Sequence, residues 1–159
     1  LKLASVTTSR ASESTQDPKI NSLSKFNCIQ ACIEADQLGG DEGLMLDMHG
    51  YVSTCNSTNY FIVRGSEVWT STGEYCLNGV TRGAIIDLCR SNNITILEKN
   101  FLMDDVYTAD EAFVTGTFAG VLPVTAVDEH VLSGGQRGPL TKKLQDRYRS
   151  EIDKRYPGK

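Results

Sequence analysis

Three glycine-containing segments of this sequence have residues suited to holding an anion. Residues 78–82 precede a predicted helix, and the free N–H groups and dipole of a helix start attract phosphate. Residues 115–120 form a predicted tight turn with two threonines and two glycines, and residues 134–138 contain three glycines. On spacing alone, the simpler interpretations are an ordinary helix cap, a hairpin turn and a surface loop.

The sequence lacks the motifs of several other common active sites. The sequence has no GxSxG nucleophile elbow and no GxxxxGK[ST] phosphate loop. His49 lies at a predicted hairpin tip and His130 in a polar loop, and neither is placed to activate a serine or a cysteine. Five cysteines without a CxxC pair predict reduced thiols in an intracellular protein, and they favour neither a disulfide framework nor a zinc site.

Length and composition limit the class of protein and its partners. With 159 residues, 40% of them hydrophobic, the chain is long enough for one domain with a buried core. A formal net charge of −4 argues against nucleic acid or an anionic membrane surface as the main partner. The sequence contains no apolar run near the roughly 18 residues that a membrane helix requires.

Hydrophobic spacing and turn residues predict the elements that position these segments. A first helix begins at about Ser22, with Phe26, Ile29 and Ile33 on one face. A second helix is predicted at about residues 81–92 and a short helical turn at 103–107. A last helix follows the 134–138 segment. The predicted strands are residues 1–8, 43–47, 51–55, 60–64, 67–70, 94–98, 112–117 and 121–127. Hairpins that alternate with helices indicate an α/β or α+β domain.

The order of several short motifs is more specific than any one of them. In sequence they are PKINSL (18–23), DEGLMLD (41–47), GYV (50–52), NYF (59–61), LNGVTR (77–82), ADEAF (109–113), TGT (115–117), PV (123–124), VD (127–128) and GPLT (138–141). From about residue 17 to its end, the chain resembles the class IV aminotransferases, which are fold-type IV pyridoxal-phosphate (PLP) enzymes.

This resemblance implies a fold and a domain organisation. It implies a mixed α/β pseudobarrel like the larger C-terminal domain of those enzymes, with residues 1–17 as strand and interdomain linker and residues 18–159 as the PLP-binding domain. In the family a smaller N-terminal domain covers the site and completes a homodimer, and that domain is absent from these 159 residues. We therefore expect the chain alone not to transaminate, because an open site neither excludes water nor fixes the substrate. Turnover of branched-chain amino acids with 2-oxoglutarate by the 159-residue chain would contradict this expectation.

The resemblance also implies binding residues by position. The backbone of Val80 and Thr81 and the hydroxyl of Thr117 would hold the phosphate of PLP. The turn at Thr117 and Phe118 would also face the substrate carboxylate. No metal is implied. The expected substrates are an amino acid and a 2-oxo acid.

Two positions depart from the family pattern. Asn21 stands where the family has its Schiff-base lysine, directly before Ser-Leu, and an asparagine cannot bind the cofactor aldehyde covalently. Thr54 stands where relatives have a glutamate that pairs with the pyridine nitrogen, and a hydroxyl holds that proton less strongly. The nearest substitutes for the lysine are Lys25, expected about 5–6 Å along one helix face from Asn21, and Lys19.

Three functions follow from the resemblance and its departures. The leading hypothesis is a PLP-dependent aminotransferase nearest to the branched-chain amino-acid group. The missing lysine leaves open a PLP-binding relative without the usual catalysis. A PLP lyase of the aminodeoxychorismate type, which has the same fold, is the third.

Overall fold

Glycine turns and runs of β-branched and aromatic residues produce two five-stranded sheets in the computed structural model, which describes residues 1–157. The strands are β1 (Lys2–Ser5), β2 (Glu42–Leu46), β3 (Val52–Cys55), β4 (Asn59–Arg64), β5 (Glu67–Thr70), β6 (Thr95–Glu98), β7 (Glu111–Gly116), β8 (Gly120–Val124), β9 (Ala126–Val127) and β10 (His130–Val131). The helices are α1 (Phe26–Gln37), α2 (Val80–Ser91), α3 (Met103–Tyr107) and α4 (Pro139–Arg155), with a single 3-10 turn at Ser133–Gly135. This architecture confirms the predicted mixed α/β class.

The strand order shows how distant segments meet. One sheet has the order β10-β9-β1-β2-β3 and the other β6-β5-β4-β7-β8. Strand β1 lies parallel to both β2 and β9, so the first residues form an inner strand of the sheet. The predicted β2–β3 and β4–β5 hairpins are present, and Gly50 and Gly65 have the positive φ values that their turns require (85° and 59°). The boundary between residues 17 and 18 stays a prediction.

A hydrophobic core joins α2 and α4 to the second sheet. Phe61 of β4 and Phe113 of β7 stack with ring centroids 4.8 Å apart, and Ile85 of α2 and Leu144 of α4 are buried against them. Full burial of each such side chain stabilises the fold by about 1.5–3 kcal/mol. This packing fixes the start of α2 relative to the ends of β4 and β7.

The three apolar residues predicted to share one face of α1 lie on its outer face. Phe26, Ile29 and Ile33 are 67%, 57% and 55% exposed, whereas Ala31 and Ala35 are buried against β1 and β2. The physical reason is the close approach of helix and sheet. A Cβ atom on Gly43 of β2 would lie 2.7 Å from the backbone oxygen of Ala31, so this contact has no room for large side chains. The apolar stripe therefore lies on the outer face of α1.

The start of α1 also differs from the prediction. The helix begins at Phe26, with Lys25 as an N-cap residue that makes no side-chain capping bond. Upstream, the Gln16 side-chain amide donates to the Ser22 hydroxyl and to the Ser24 carbonyl, both at 2.8 Å. This long-range pairing satisfies polar groups of the segment outside a helix. The expectation that Asn21 and Lys25 lie one helical turn apart is therefore wrong.

The carboxylate of Glu34 on α1 is expected to stabilise the fold in a pH-dependent way. It accepts the N–H of Thr7 at 2.6 Å, and it accepts the N–H and hydroxyl of Thr8 at 3.2 and 3.0 Å. The Thr7 bond is the main reason that the pKa of Glu34 lies below its usual 4.5. Because this pKa is lowered on folding, the stabilisation is present at neutral pH and is lost as the pH falls through the folded-state pKa.

We expect Glu34→Gln to reduce the free energy of unfolding by about 1 kcal/mol at pH 7, since the site is partly exposed. The difference from wild type should shrink as the carboxyl becomes protonated in both states. Urea unfolding at pH 7 and at pH 3.5 measures this. Asp36→Asn, on an exposed position of the same helix, is the control. A Glu34→Gln penalty that persists unchanged at low pH would contradict the prediction.

Two further observations concern the helices and the cysteines. Within residues 1–157, none of the helices combines the length and apolar character needed to cross a membrane. All five cysteines are free thiols. Three of them are buried, Cys28 is half-buried and Cys32 is exposed.

Candidate active site

A cavity of about 110 Å³ opens between the segment before α1, the end of β3 and the turn that follows it. Three of the predicted site residues line it, namely Asn21, Lys25 and Thr54. The rest of the wall includes residues 55–59 and Leu77. Although the helical spacing of Asn21 and Lys25 was wrong, both residues line one space with Thr54.

Lys19, the other lysine considered from the sequence, is engaged elsewhere. Its amine pairs with the Glu13 carboxylate at 3.0 Å, and it does not line the cavity. The hydrogen bond that Lys19 donates to Glu13, and next the negative charge of Glu13, raise the pKa of Lys19. Since Lys25 lines the cavity and Lys19 does not, the geometry favours Lys25 as the amine of this cavity.

Arg10 joins three segments around the cavity. Its Nε donates to the Tyr75 carbonyl at 3.0 Å, and its guanidinium also donates to the Cys28 sulfur at 3.0 Å. The Ser53 hydroxyl donates to the same Tyr75 carbonyl at 3.1 Å. These bonds fix the segment after β1 to the start of α1, to β3 and to the loop before α2. Sequence analysis missed Arg10, because its partners lie 18 and 65 residues away.

The Thr54 hydroxyl has a defined hydrogen-bonding direction. It donates its one proton to the Thr58 carbonyl at 2.7 Å, and the Asn59 side-chain amide lies 3.5 Å from it as a donor. With its proton committed, this buried hydroxyl can act toward the cavity only as an acceptor. The Asn59 amide also donates to the Leu77 carbonyl at 2.9 Å, which fixes the cavity wall.

Glu42 anchors the turn between β3 and β4. Its buried carboxylate accepts the N–H of Ser57 at 3.1 Å, the Thr58 hydroxyl at 2.6 Å, and the Ser57 hydroxyl. Burial, and next the Glu42 charge, raise the pKa of the neighbouring Cys55 thiol well above its usual value. Cys55 therefore stays protonated and is not a nucleophile of this cavity.

Of the predicted phosphate residues, Val80 and Thr81 lie beyond this cavity at the start of α2, and Thr117 lies in the turn between β7 and β8. Gly79, the N-cap of α2, has an extended backbone and no side-chain cap, which leaves the first N–H groups available. A Cβ on Gly79 would lie 2.4 Å from the Asn59 side-chain oxygen, and a Cβ on Gly116 would lie 3.3 Å from Thr58 Cγ2. Both glycines therefore pack against the start of β4. This packing brings the segments of Val80 and Thr117 to the same strand end.

Tyr148 of α4 connects the two sides of this region. Its hydroxyl lies 3.5 Å from that of Thr81, and its ring lies 3.2 Å from the position that a Cβ on Gly120 would take. Thr81 is buried, whereas Val80 and Phe118 are exposed. The helix start and the 116–120 turn thus share one neighbouring side chain. The sequence pattern predicted a last helix in this part of the chain and did not indicate Tyr148 as a site residue.

The sequence is similar to those of branched-chain aminotransferases and related proteins. It is 36% identical over 151 residues to the branched-chain-amino-acid aminotransferase-like protein 2 of Arabidopsis thaliana, which covers 95% of this chain and 27% of the relative. It is 42% identical over 123 residues to the branched-chain-amino-acid aminotransferase of Pseudomonas aeruginosa, covering 77% of this chain and 40% of that protein. The chain therefore spans less than half the length of these two relatives.

The fold and the family pattern agree with these relatives. The structure of the branched-chain amino acid aminotransferase from Thermobaculum terrenum in its PLP form matches with a TM-score of 0.91 at 30% identity, over 97% of this chain and 51% of that one. This match confirms the fold that the resemblance implied. The sequence model of the amino-transferase class IV family matches residues 1–127. The chain therefore belongs to the class IV aminotransferase family.

Proposed function

We propose that the protein containing this chain is a PLP-dependent aminotransferase, nearest to the branched-chain group, that moves an amino group between an amino acid and a 2-oxo acid. One observation carries the proposal beyond family membership. The Lys25 side chain lines the same cavity as Asn21 and Thr54. These two positions correspond to the family's covalent lysine and to its ring-pairing glutamate, so an amine is present where the chemistry requires one.

The residues of this chain fit PLP in three respects. Lys25 provides an amine at the cavity, and Thr54 provides an acceptor for a protonated ring nitrogen. The uncapped start of α2 provides N–H donors for a phosphate. When bound, PLP supplies an electron sink for the substrate carbon. In this proposal the N–H groups of Val80 and Thr81 bind its phosphate.

The exposed turn between β7 and β8 is assigned to phosphate and substrate. Thr117 would donate its hydroxyl to the phosphate, and the backbone at Thr117 and Phe118 would receive the substrate carboxylate. Phe118 is fully exposed in this chain, so its side chain is available to contact a substrate or a covering domain. Two positively charged side chains near the cavity, Arg10 and Lys25, favour an anionic substrate.

We also propose that the complete protein is an intracellular homodimer in which a further domain covers the site, with residues 1–17 leading into it and residues 18–159 forming the PLP-binding domain. The exposed apolar stripe on α1 (Phe26, Ile29 and Ile33) supports a covering partner, because soluble monomers rarely expose such patches. Five free thiols support a reducing compartment. Sedimentation equilibrium of the full-length protein should give twice the mass of one subunit, and a monomer would contradict the dimer.

Asn21 gives specific support to a second candidate, a PLP-binding relative without catalysis. Reduction of the bound cofactor, combined with an activity assay, separates the two candidates. Full-length protein is loaded with PLP, reduced with borohydride and mapped by peptide mass spectrometry, and amino transfer from branched-chain amino acids to 2-oxoglutarate is assayed. A pyridoxyl group on Lys25 together with transfer supports the aminotransferase. Bound PLP without a covalent adduct or transfer supports the second candidate, and release of pyruvate from added aminodeoxychorismate would indicate a lyase.

A further inference from the structure

Tyr148 contacts both sides of the proposed phosphate region. Its hydroxyl lies 3.5 Å from the Thr81 hydroxyl in the first turn of α2, and its ring packs on Gly120. No other side-chain hydrogen bond involves the Thr81 hydroxyl within residues 1–157. The orientation of that hydroxyl therefore depends on Tyr148.

Each of these two hydroxyls has one proton, and either can be the donor. If Tyr148 donates, the Thr81 oxygen accepts and its own proton is free to point elsewhere. A dianionic phosphate at the start of α2 needs donors and has no proton to give. Its binding therefore favours the arrangement in which Tyr148 donates to Thr81 and Thr81 donates to the phosphate.

The rigid attachment of α4 makes this orientation effective. Glu111 of β7 is buried and accepts the N–H groups of Leu140 and Thr141 at 2.9 and 2.8 Å, where α4 begins. The Gln145 amide donates to the Val121 carbonyl of β8 at 2.7 Å. Two turns of α4 are thus fixed to the same hairpin that ends in the 116–120 turn, so Tyr148 is held in place before a ligand binds.

We propose that Tyr148 is a positioning residue of the phosphate site, which orients the Thr81 hydroxyl toward the phosphate of a bound cofactor. This inference rests on the proposed function, because it requires a phosphate at the start of α2. No residue of α4 lines the cavity that contains Lys25. The inference gives α4 a role in distinguishing a phosphorylated cofactor from its unphosphorylated form.

The test compares PLP with pyridoxal, which lacks the phosphate. Tyr148→Phe in the full-length protein keeps the ring on Gly120 and removes the hydroxyl. We expect PLP to bind about threefold to tenfold more weakly, the effect of one lost hydrogen bond, and pyridoxal affinity to stay unchanged. Absorbance titrations measure both dissociation constants. Tyr156→Phe, at the exposed end of α4, is the matched control and should change neither.

A second variant tests the coupling to Thr81. Thr81→Val should weaken PLP binding, and adding Tyr148→Phe to it should cause no further loss. Independent, multiplying losses would overturn the inference, as would a Tyr148→Phe protein with the wild-type ratio of PLP to pyridoxal affinity. A purely structural role would lower both affinities together, which also overturns it. If the wild-type protein itself binds PLP no more tightly than pyridoxal, the proposed phosphate site fails instead.

Discussion

Replacing Lys25 by alanine in the full-length protein is expected to abolish covalent attachment of PLP and to lower amino transfer by several orders of magnitude. The physical reason is that a neutral amine must attack the cofactor aldehyde, and Lys25 is the lysine that lines the cavity with Asn21 and Thr54. Borohydride reduction followed by peptide mass mapping measures the adduct. The absorbance of the lysine-bound cofactor, measured without substrate, follows the same loss.

The complementary substitution is Asn21→Lys. It places an amine at the family position inside the same cavity, so we expect it to create a second attachment point and to restore part of the activity of the Lys25→Ala protein. Lys19→Ala is the control, because Lys19 pairs with Glu13 outside the cavity and should leave the adduct intact. An adduct that survives Lys25→Ala, with no response to Asn21→Lys, would show that Lys25 is structural.

The elements that depend on local sequence were predicted well. The helix predicted at about residues 81–92 is α2, which spans Val80–Ser91, and the two predicted hairpins have glycines at 50 and 65 with the positive φ that their turns need. The face of α1 could not be predicted in the same way. Periodicity identifies an apolar stripe, but the small residues Ala31 and Ala35 fit a closely packed sheet, and the large residues stayed outside.

The candidate site depends on contacts that no local pattern contains. Arg10 and Tyr75 are 65 residues apart, and Thr81 and Tyr148 are 67 residues apart. The order of the motifs indicated that Asn21 and Thr54 belong to one site, because the corresponding positions of the family both contact the cofactor. It could not indicate that Gln16 would hold the segment before α1 out of a helix, since that depends on two hydrogen bonds of one side chain.

A buried ion pair holds the start of α2 in place. Arg82 is 5% exposed and donates to the Ser71 carbonyl at 2.7 Å, to the Asn78 side chain at 3.2 Å and to Glu98 at 2.9 Å. Arg90 is 59% exposed and pairs with the same Glu98 carboxylate, also at 2.9 Å. Both arginines belong to α2 and pair with Glu98. They differ in burial and in the additional acceptors that only Arg82 has, so their substitutions can be compared directly.

We expect Arg82→Met to lower the free energy of unfolding by about 3 kcal/mol, because the Ser71 carbonyl loses its donor and the partly buried Glu98 carboxylate keeps only the exposed Arg90. Arg90→Met should cost less than about 1 kcal/mol, since an exposed pair is screened by water. Urea unfolding at pH 7 measures both. Arg82 also holds Ser71 and Asn78, which lie before the α2 start, so Arg82→Met should weaken PLP binding while Arg90→Met leaves it unchanged. Equal, small losses of stability in the two variants would show that the buried network contributes no more than the exposed pair.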